Sequence, residues 1–251
     1  MYLDHVALGT RDASAPLGVL VGELGGALVS GGRWTGFQSL QVHIGDGAAG
    51  MKVELLEPWG IEANDFLERF LTRHGDGPHH LTFKVDDLVA TLTRVRAAGY
   101  TPVAVDLSHP EWKEAFLQPR EAHGTVVQLA ESDSSLHSPL AEYEHARAHG
   151  PQEEPRWWPD PPARRGATSF LRRVVMATPS LLTSTGFFTG LLGGVQAAAG
   201  EGWTEVEWPR GGRVRLEQRA DRGPGVDRLE LDGPGSSREL HVAGTRLVVN
   251  P

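Results

Sequence analysis

One order of structural elements is written twice in the first half of this chain, and that repetition constrains the fold more than any other feature. Residues 2–9, YLDHVALG, alternate like a half-buried strand. Residues 14–25 carry Leu17, Val19, Leu20, Val21 and Leu24 as a helix-like apolar stripe, stopped by Gly25-Gly26. Strand-like runs follow at 27–33, 37–45 and 51–57, with GDGAAG at 45–50 as the turn between the last two. A short helix is predicted over 61–74, with Phe66, Leu67, Phe70 and Leu71 on one side. The order then restarts: strand 79–85, helix 87–98 ending at Gly99, and strands 101–106, 113–118 and 125–130. Residues 1–131 thus read as βαβββ written twice.

Residues 132–167 differ in kind. They are polar, charged and proline-rich and read as a linker, with Trp157-Trp158 expected to dock onto a domain because an exposed aromatic pair is unfavourable. The pattern then returns in weaker form over 168–251. FLRRVVMAT at 170–178 resembles the first strand, and Pro179 to Leu192 reads as a helix followed by Gly193-Gly194. Strands are predicted near 195–199, 203–208, 212–218, 226–231, 237–242 and 245–249, with no second helix. The expectation is an α+β chain of two tandem domains, 1–131 and 168–251, the second shortened.

Composition narrows the function. With 24 basic and 32 acidic residues the formal charge is -8, which argues against nucleic acid or an anionic membrane as the main partner. There is no cysteine, so disulfides, thiolate metal sites and cysteine nucleophiles are excluded. Any metal must be held by His, Asp, Glu or an amide, which suits borderline or hard divalent cations. MYLDHVALGT is not signal-like and no run approaches the ~20 apolar residues of a membrane span, so the expected location is cytoplasmic.

Alternation assigns faces along the strands. Val6 and Leu8 share one face and leave His5 on the other; Val53 and Leu55 leave Glu54; Leu81, Phe83 and Val85 leave His80; Val127 and Leu129 leave Gln128. His5 and Glu54 are 49 residues apart, His80 and Gln128 are 48 apart, so each copy offers a His on its first strand and a Glu or Gln on its last. Pseudo-twofold packing of the copies would bring two imidazoles, a carboxylate and an amide oxygen together as a divalent-metal site. His79 points the other way and reads as structural.

The stretches LDHVALGT, KVELLEP, GPHHLTFKVDDL and FLQPREAHGTVVQLAE resemble the vicinal oxygen chelate superfamily, particularly its methylmalonyl-CoA epimerase and glyoxalase I branch, over residues 2–131. The resemblance implies paired βαβββ modules forming an open cup-shaped barrel around a divalent metal such as Zn, Ni, Co, Mn or Fe. It places the family's ligands on His5, Glu54, His80 and Gln128. Epimerases of this kind usually carry Gln where Glu54 stands and Glu where Gln128 stands, so the two types are exchanged here. An amide has no useful basicity, so the proton-moving role falls to Glu54 or to His43, whose ordinary pKa near ~6.5 suits proton transfer.

The implied activity is a metal-dependent isomerase or lyase acting on a small oxygenated substrate. An extradiol-type dioxygenase is the first alternative, since His5, His80 and Glu54 give two His and one carboxylate. A metal-free binder of the antibiotic-resistance type is the second, with 7 Trp, 3 Tyr and 8 Phe counting modestly against an aromatic-lined cup. His123 reads as a turn residue or a substrate contact. In the second domain Arg173, Arg215, Arg228 and Val248 occupy the positions of His5, Glu54, His80 and Gln128. Guanidiniums have no lone pair for a metal, so they either bind an anion or pair with Glu205, Glu207, Glu217 or Glu230. Intrachain pairing of the domains would make a monomer; a homodimer is the other option.

Overall fold

The computed structural model describes residues 1–47, 50–132, 139–151, 157–165 and 167–251. Strand β1 (Tyr2–Gly9) leads into a short helix, α1 (Ser14–Leu17), that widens into a π turn over Gly18–Glu23. β2 (Ala27–Trp34), β3 (Gly36–Ile44), β4 (Met51–Trp59) and α2 (Phe66–His74) complete the first round. The second consists of β5 (Gly77–Lys84), α3 (Leu88–Ala97), β6 (Val103–Asp106), β7 (Lys113–Leu117) and β8 (Val126–Glu131). All eight strands share one mixed sheet in the order β2-β3-β4-β1-β5-β8-β7-β6, so the rounds meet where β1 lies beside β5. The helix predicted from residue 61 begins only at Phe66, after a turn at Gly60 whose φ is 59°.

A second sheet repeats the first with a piece missing. β9 (Phe170–Thr178) is followed by α5 (Leu181–Gly186), which widens into a π turn over Phe187–Leu191, and by β10 (Val195–Gly200), β11 (Trp203–Glu207) and β12 (Arg213–Gln218). β13 (Gly225–Asp232), β14 (Arg238–Val242) and β15 (Thr245–Asn250) finish the chain with no helix among them. The order is β10-β11-β12-β9-β13-β15-β14, the first sheet's order short of one strand. The fold is α+β: two mixed sheets with few helices.

The duplication is legible in local packing. Leu24 N–H donates to the Val19 carbonyl and Gly26 N–H to that of Leu20; Leu192 and Gly194 make the same bonds to Phe187 and Phe188. A Cβ on Gly26 would stand 2.6 Å from Val42, and one on Gly194 would collide with Val206 in the same way. Each helix thus ends in a wide turn so that a glycine can touch the second strand beyond it, and only glycine fits there.

The stretch expected as a linker is partly helical. α4 (Pro139–His149) packs on β2, although its sequence has little amphipathic pattern. Trp158 is buried, and Trp157 Nε1 donates to the Ser39 carbonyl at 3.1 Å, so the tryptophan pair docks as expected. Residues 133–138 and 152–156 of this stretch lie outside the described residues.

By contact the chain forms two compact units, each drawing on both sheets. One comprises Met1–His5, His80–Ser135 and Arg173–Asp227. Its core includes Phe83, whose ring lies 5.0 Å from that of Trp208 and 6.4 Å from that of Phe188. The other comprises Val6–His79, Leu136–Arg172 and Arg228–Pro251. In it Ala7 and Leu56 pack under Leu67 and Leu71 of α2, with Phe37, Phe66 and Phe70 around them.

Candidate metal centre

The eight-stranded sheet is hydrogen-bonded without interruption through β4, β1, β5 and β8, and each of these strands carries one of the four expected ligands. One ligand atom from each of His5, Glu54 and His80 lies within 4.8 Å of the others, and all three residues are buried. The imidazoles of His5 and His80 meet edge to face with centroids 5.8 Å apart. Ligand atoms about 2.1 Å from a shared metal are roughly 3–4 Å from each other, so small rotamer adjustments would close this set on a cation. Two neutral imidazoles and one carboxylate suit Zn, Fe, Co, Ni or Mn.

Neighbouring groups orient the donors. His5 Nδ1 lies 2.7 Å from a carboxylate oxygen of Asp4, which is itself buried. A carboxylate can only accept, so Nδ1 carries the proton, which leaves Nε2 of a neutral imidazole as the nitrogen that would meet a metal. Gln41 stands directly opposite Glu54 in the β3–β4 register and donates from Nε2 to Glu54 Oε1 at 3.3 Å.

Gln128 is placed by the register of the second round. It pairs with Thr82 on β5 and with Phe116 on β7, and the Phe116 ring lies 6.5 Å from that of His80. Its amide oxygen accepts from Thr82 Oγ1 at 2.5 Å, while its amide nitrogen donates to Glu114 Oε2 at 2.7 Å. Glu114 also accepts from Trp112 Nε1 at 2.9 Å. Sequence reasoning missed Glu114, although it shares a face with Phe116 in KEAFL and alternation alone would have found it.

His43 and Lys52 stand opposite one another on the face that carries Gln41 and Glu54. Both are only 1% exposed. α4 covers them: Glu142 pairs with the Lys52 ammonium, and the Tyr143 ring lies 4.8 Å from that of His43. His43 is therefore enclosed, and it is not among the residues that converge with His5. Nothing in the sequence pattern pointed to Lys52 and Glu142 as a buried pair.

His79 lies edge-on to Phe66 and Phe70, 5.8 and 4.7 Å between centroids. Burial pushes its pKa down to about 4, with Glu54 opposing part of that shift. It is a neutral wall residue beside Glu54. His123 occupies a turn at φ 57° and lies 2.9 Å through Nδ1 from Ser184 Oγ, and burial lowers its pKa.

In the second sheet the corresponding positions are filled by paired charge. Arg228 lies opposite Arg246 as His80 lies opposite Val126, which puts Val248 at the register position of Gln128. Glu205 stands opposite Arg215 as Gln41 stands opposite Glu54. Glu205 pairs with Arg173, with Arg215 at 3.3 Å and with Arg213 at 3.5 Å, and Arg228 donates to Glu230 at 2.9 and 2.7 Å. Of the two readings of these arginines, the pairing one describes them.

Residues 4–116 match the family model described as the Glyoxalase/Bleomycin resistance protein/Dioxygenase superfamily. A hypothetical protein from Staphylococcus aureus superimposes over 99% of this chain and 98% of its own at TM-score 0.66 and 10% identity, a likeness of fold across both sheets. A hypothetical protein from Bacillus halodurans is 25% identical over 53% of this chain and 95% of its own, at TM-score 0.47. Methylmalonyl-CoA epimerase from Mycobacterium tuberculosis is 24% identical over 54% and 90%, also at 0.47. No curated protein matches. Residues 4–116, which carry His5, Glu54 and His80, are thus similar to the glyoxalase, bleomycin resistance protein and dioxygenase superfamily, the vicinal oxygen chelate superfamily.

Proposed function

We propose that this protein is a divalent-metal-dependent isomerase or lyase of the glyoxalase and epimerase kind, acting by proton abstraction on a small oxygenated substrate. The observation that carries the reading is the convergence of His5, Glu54 and His80 within 4.8 Å on one buried face. His5, Glu54 and His80 would hold the metal, with Gln128 as the fourth donor. A divalent cation bound there supplies Lewis acidity, stabilising negative charge that develops on a substrate carbonyl oxygen.

The chain's own residues handle the proton. Glu54 is the one carboxylate of the cluster, and its two oxygens let it serve as a ligand while the other exchanges a proton with carbon next to the carbonyl. His43, enclosed by Tyr143, is the weaker candidate for this step. The face around Glu54 is closed by α2 over Leu56 and by α4 over Lys52, which supports a small substrate.

Elemental analysis of purified protein should find about one divalent metal per chain, and H5A/H80A should contain none; equal metal content in the two would overturn the reading and favour a metal-free binder. The two-histidine, one-carboxylate set also supports an extradiol-type dioxygenase. Oxygen uptake on catechols with ferrous iron would select that alternative, and solvent deuterium entering a carbonyl compound at its α-carbon would select the isomerase.

A further inference from the structure

Gln128 is held by two unlike partners, the Thr82 hydroxyl and the Glu114 carboxylate. We infer that Glu114 is a positioning residue: it fixes the Gln128 amide so that its oxygen, and not its nitrogen, is presented on the Thr82 side, the side of His80. The inference rests on the reading of the site as a metal centre and names what makes an amide usable there.

An amide side chain has two nearly isosteric ends, of which only the oxygen can donate to a metal. Left to itself in a polar cleft, Gln128 has no reason to choose. A hydroxyl cannot decide, because Thr82 can donate to the oxygen or accept from the nitrogen with equal ease. Glu114 removes the ambiguity. As a carboxylate it can only accept, so the amide nitrogen must face it, 2.7 Å away, and the oxygen must turn to Thr82, 2.5 Å away on the directly paired position of β5. Glu114 is itself anchored, since Trp112 Nε1 donates to the same Oε2 at 2.9 Å. Thr82 and His80 project from one face of β5, two residues apart, and Phe116, the partner of Gln128 on β7, has its ring 6.5 Å from that of His80. The oriented oxygen therefore belongs to the imidazole neighbourhood. Hydrogen bonds with an ionised partner are about twice as strong as neutral ones, so the choice is firm.

The test uses the full chain and two readouts. In ¹⁵N-labelled protein without added metal, the Gln128 side-chain amide should give a resolved, exchange-protected pair of proton signals, and E114A should collapse that protection, with E114Q intermediate. Titration with Co²⁺ should show one site in the wild type and roughly 10–100-fold weaker binding in E114A. In a Q128E background, where no amide needs orienting, E114A should leave Co²⁺ binding unchanged or tighten it by removing a neighbouring negative charge. An unchanged amide signature in E114A overturns the inference whether or not metal binds. So does a lost signature with wild-type Co²⁺ affinity, or an equal loss of affinity in the Q128E background. If the wild type keeps the amide signature but takes up no Co²⁺, the metal-centre reading fails and the positioning role falls with it.

Discussion

The two sheets set the same backbone register to opposite electrostatic uses. In the first, Gln41 faces Glu54 and the histidines stand on β1 and β5; in the second, Glu205 faces Arg215 and arginines stand on β9 and β13. At these positions the first sheet presents groups with lone pairs, and the second presents guanidiniums paired with carboxylates. The lesson is that the fold supplies converging positions, while residue type decides whether convergence makes a site or a structural ion-pair network.

The largest effect should come from writing the second sheet's residue into the first. Glu54→Arg, which copies Arg215, should reduce bound divalent metal from about one per chain to none by elemental analysis, because a guanidinium has no lone pair to donate and repels the cation. Retention of metal in this variant would break the comparison.

The converse acts on stability. Glu205 is 4% exposed and is shared by Arg173, Arg213 and Arg215. Glu205→Gln should cost about 3 kcal/mol in urea unfolding, since it leaves partly buried guanidiniums uncompensated, with no change in metal content. A loss of metal here would mean that the second sheet is more than a structural network.

Smaller again are the shared glycines. Gly26→Ala and Gly194→Ala should each destabilise by about 1–3 kcal/mol through overpacking against Val42 and Val206, and by similar amounts if the two helix-to-strand turns are true equivalents. Differential scanning calorimetry of both variants makes that comparison.

The smallest effect is a pH dependence. His123 has a folded pKa below its ordinary value, so the unfolded chain binds the extra proton more readily. Its contribution is complete above pH ~6.5 and is lost as the pH falls from there toward the lowered folded value. His123→Gln should flatten the stability curve over that window in denaturant titrations, and an unaltered slope would show that the burial of His123 carries no linkage.

Much of this was legible because strand periodicity is a local signal. The alternation around His5, Glu54, His80 and Gln128 assigned each to the less apolar face, and three of them do converge. The arginine positions were legible for the same reason, although their carboxylate partners lay among four candidates that spacing could not rank. Helix ends were less legible, since α1 and α5 end in π turns set by how closely Gly26 and Gly194 approach a neighbouring strand. Glu114 went unnoticed because its importance comes from a partner on the next strand, Gln128, which only the folded register brings to it. The cover over His43 also escaped the sequence reading, because α4 lies in a stretch whose composition suggests a linker and its pairing partner Lys52 is 90 residues away.

By itself the sequence determined the order of strands and helices within 1–131 and 168–251, the twofold repetition within 1–131 and the chemical types available at each inward position, all consequences of side-chain periodicity along a single segment. The tertiary structure decided which of those side chains share a neighbour. It gave His5 its aspartate, Gln128 its glutamate, Lys52 its Glu142 and the arginines their carboxylates. The reason is physical: a strand dictates the side to which a residue points, whereas the group it meets there comes from another strand, whose register only the folded sheet fixes.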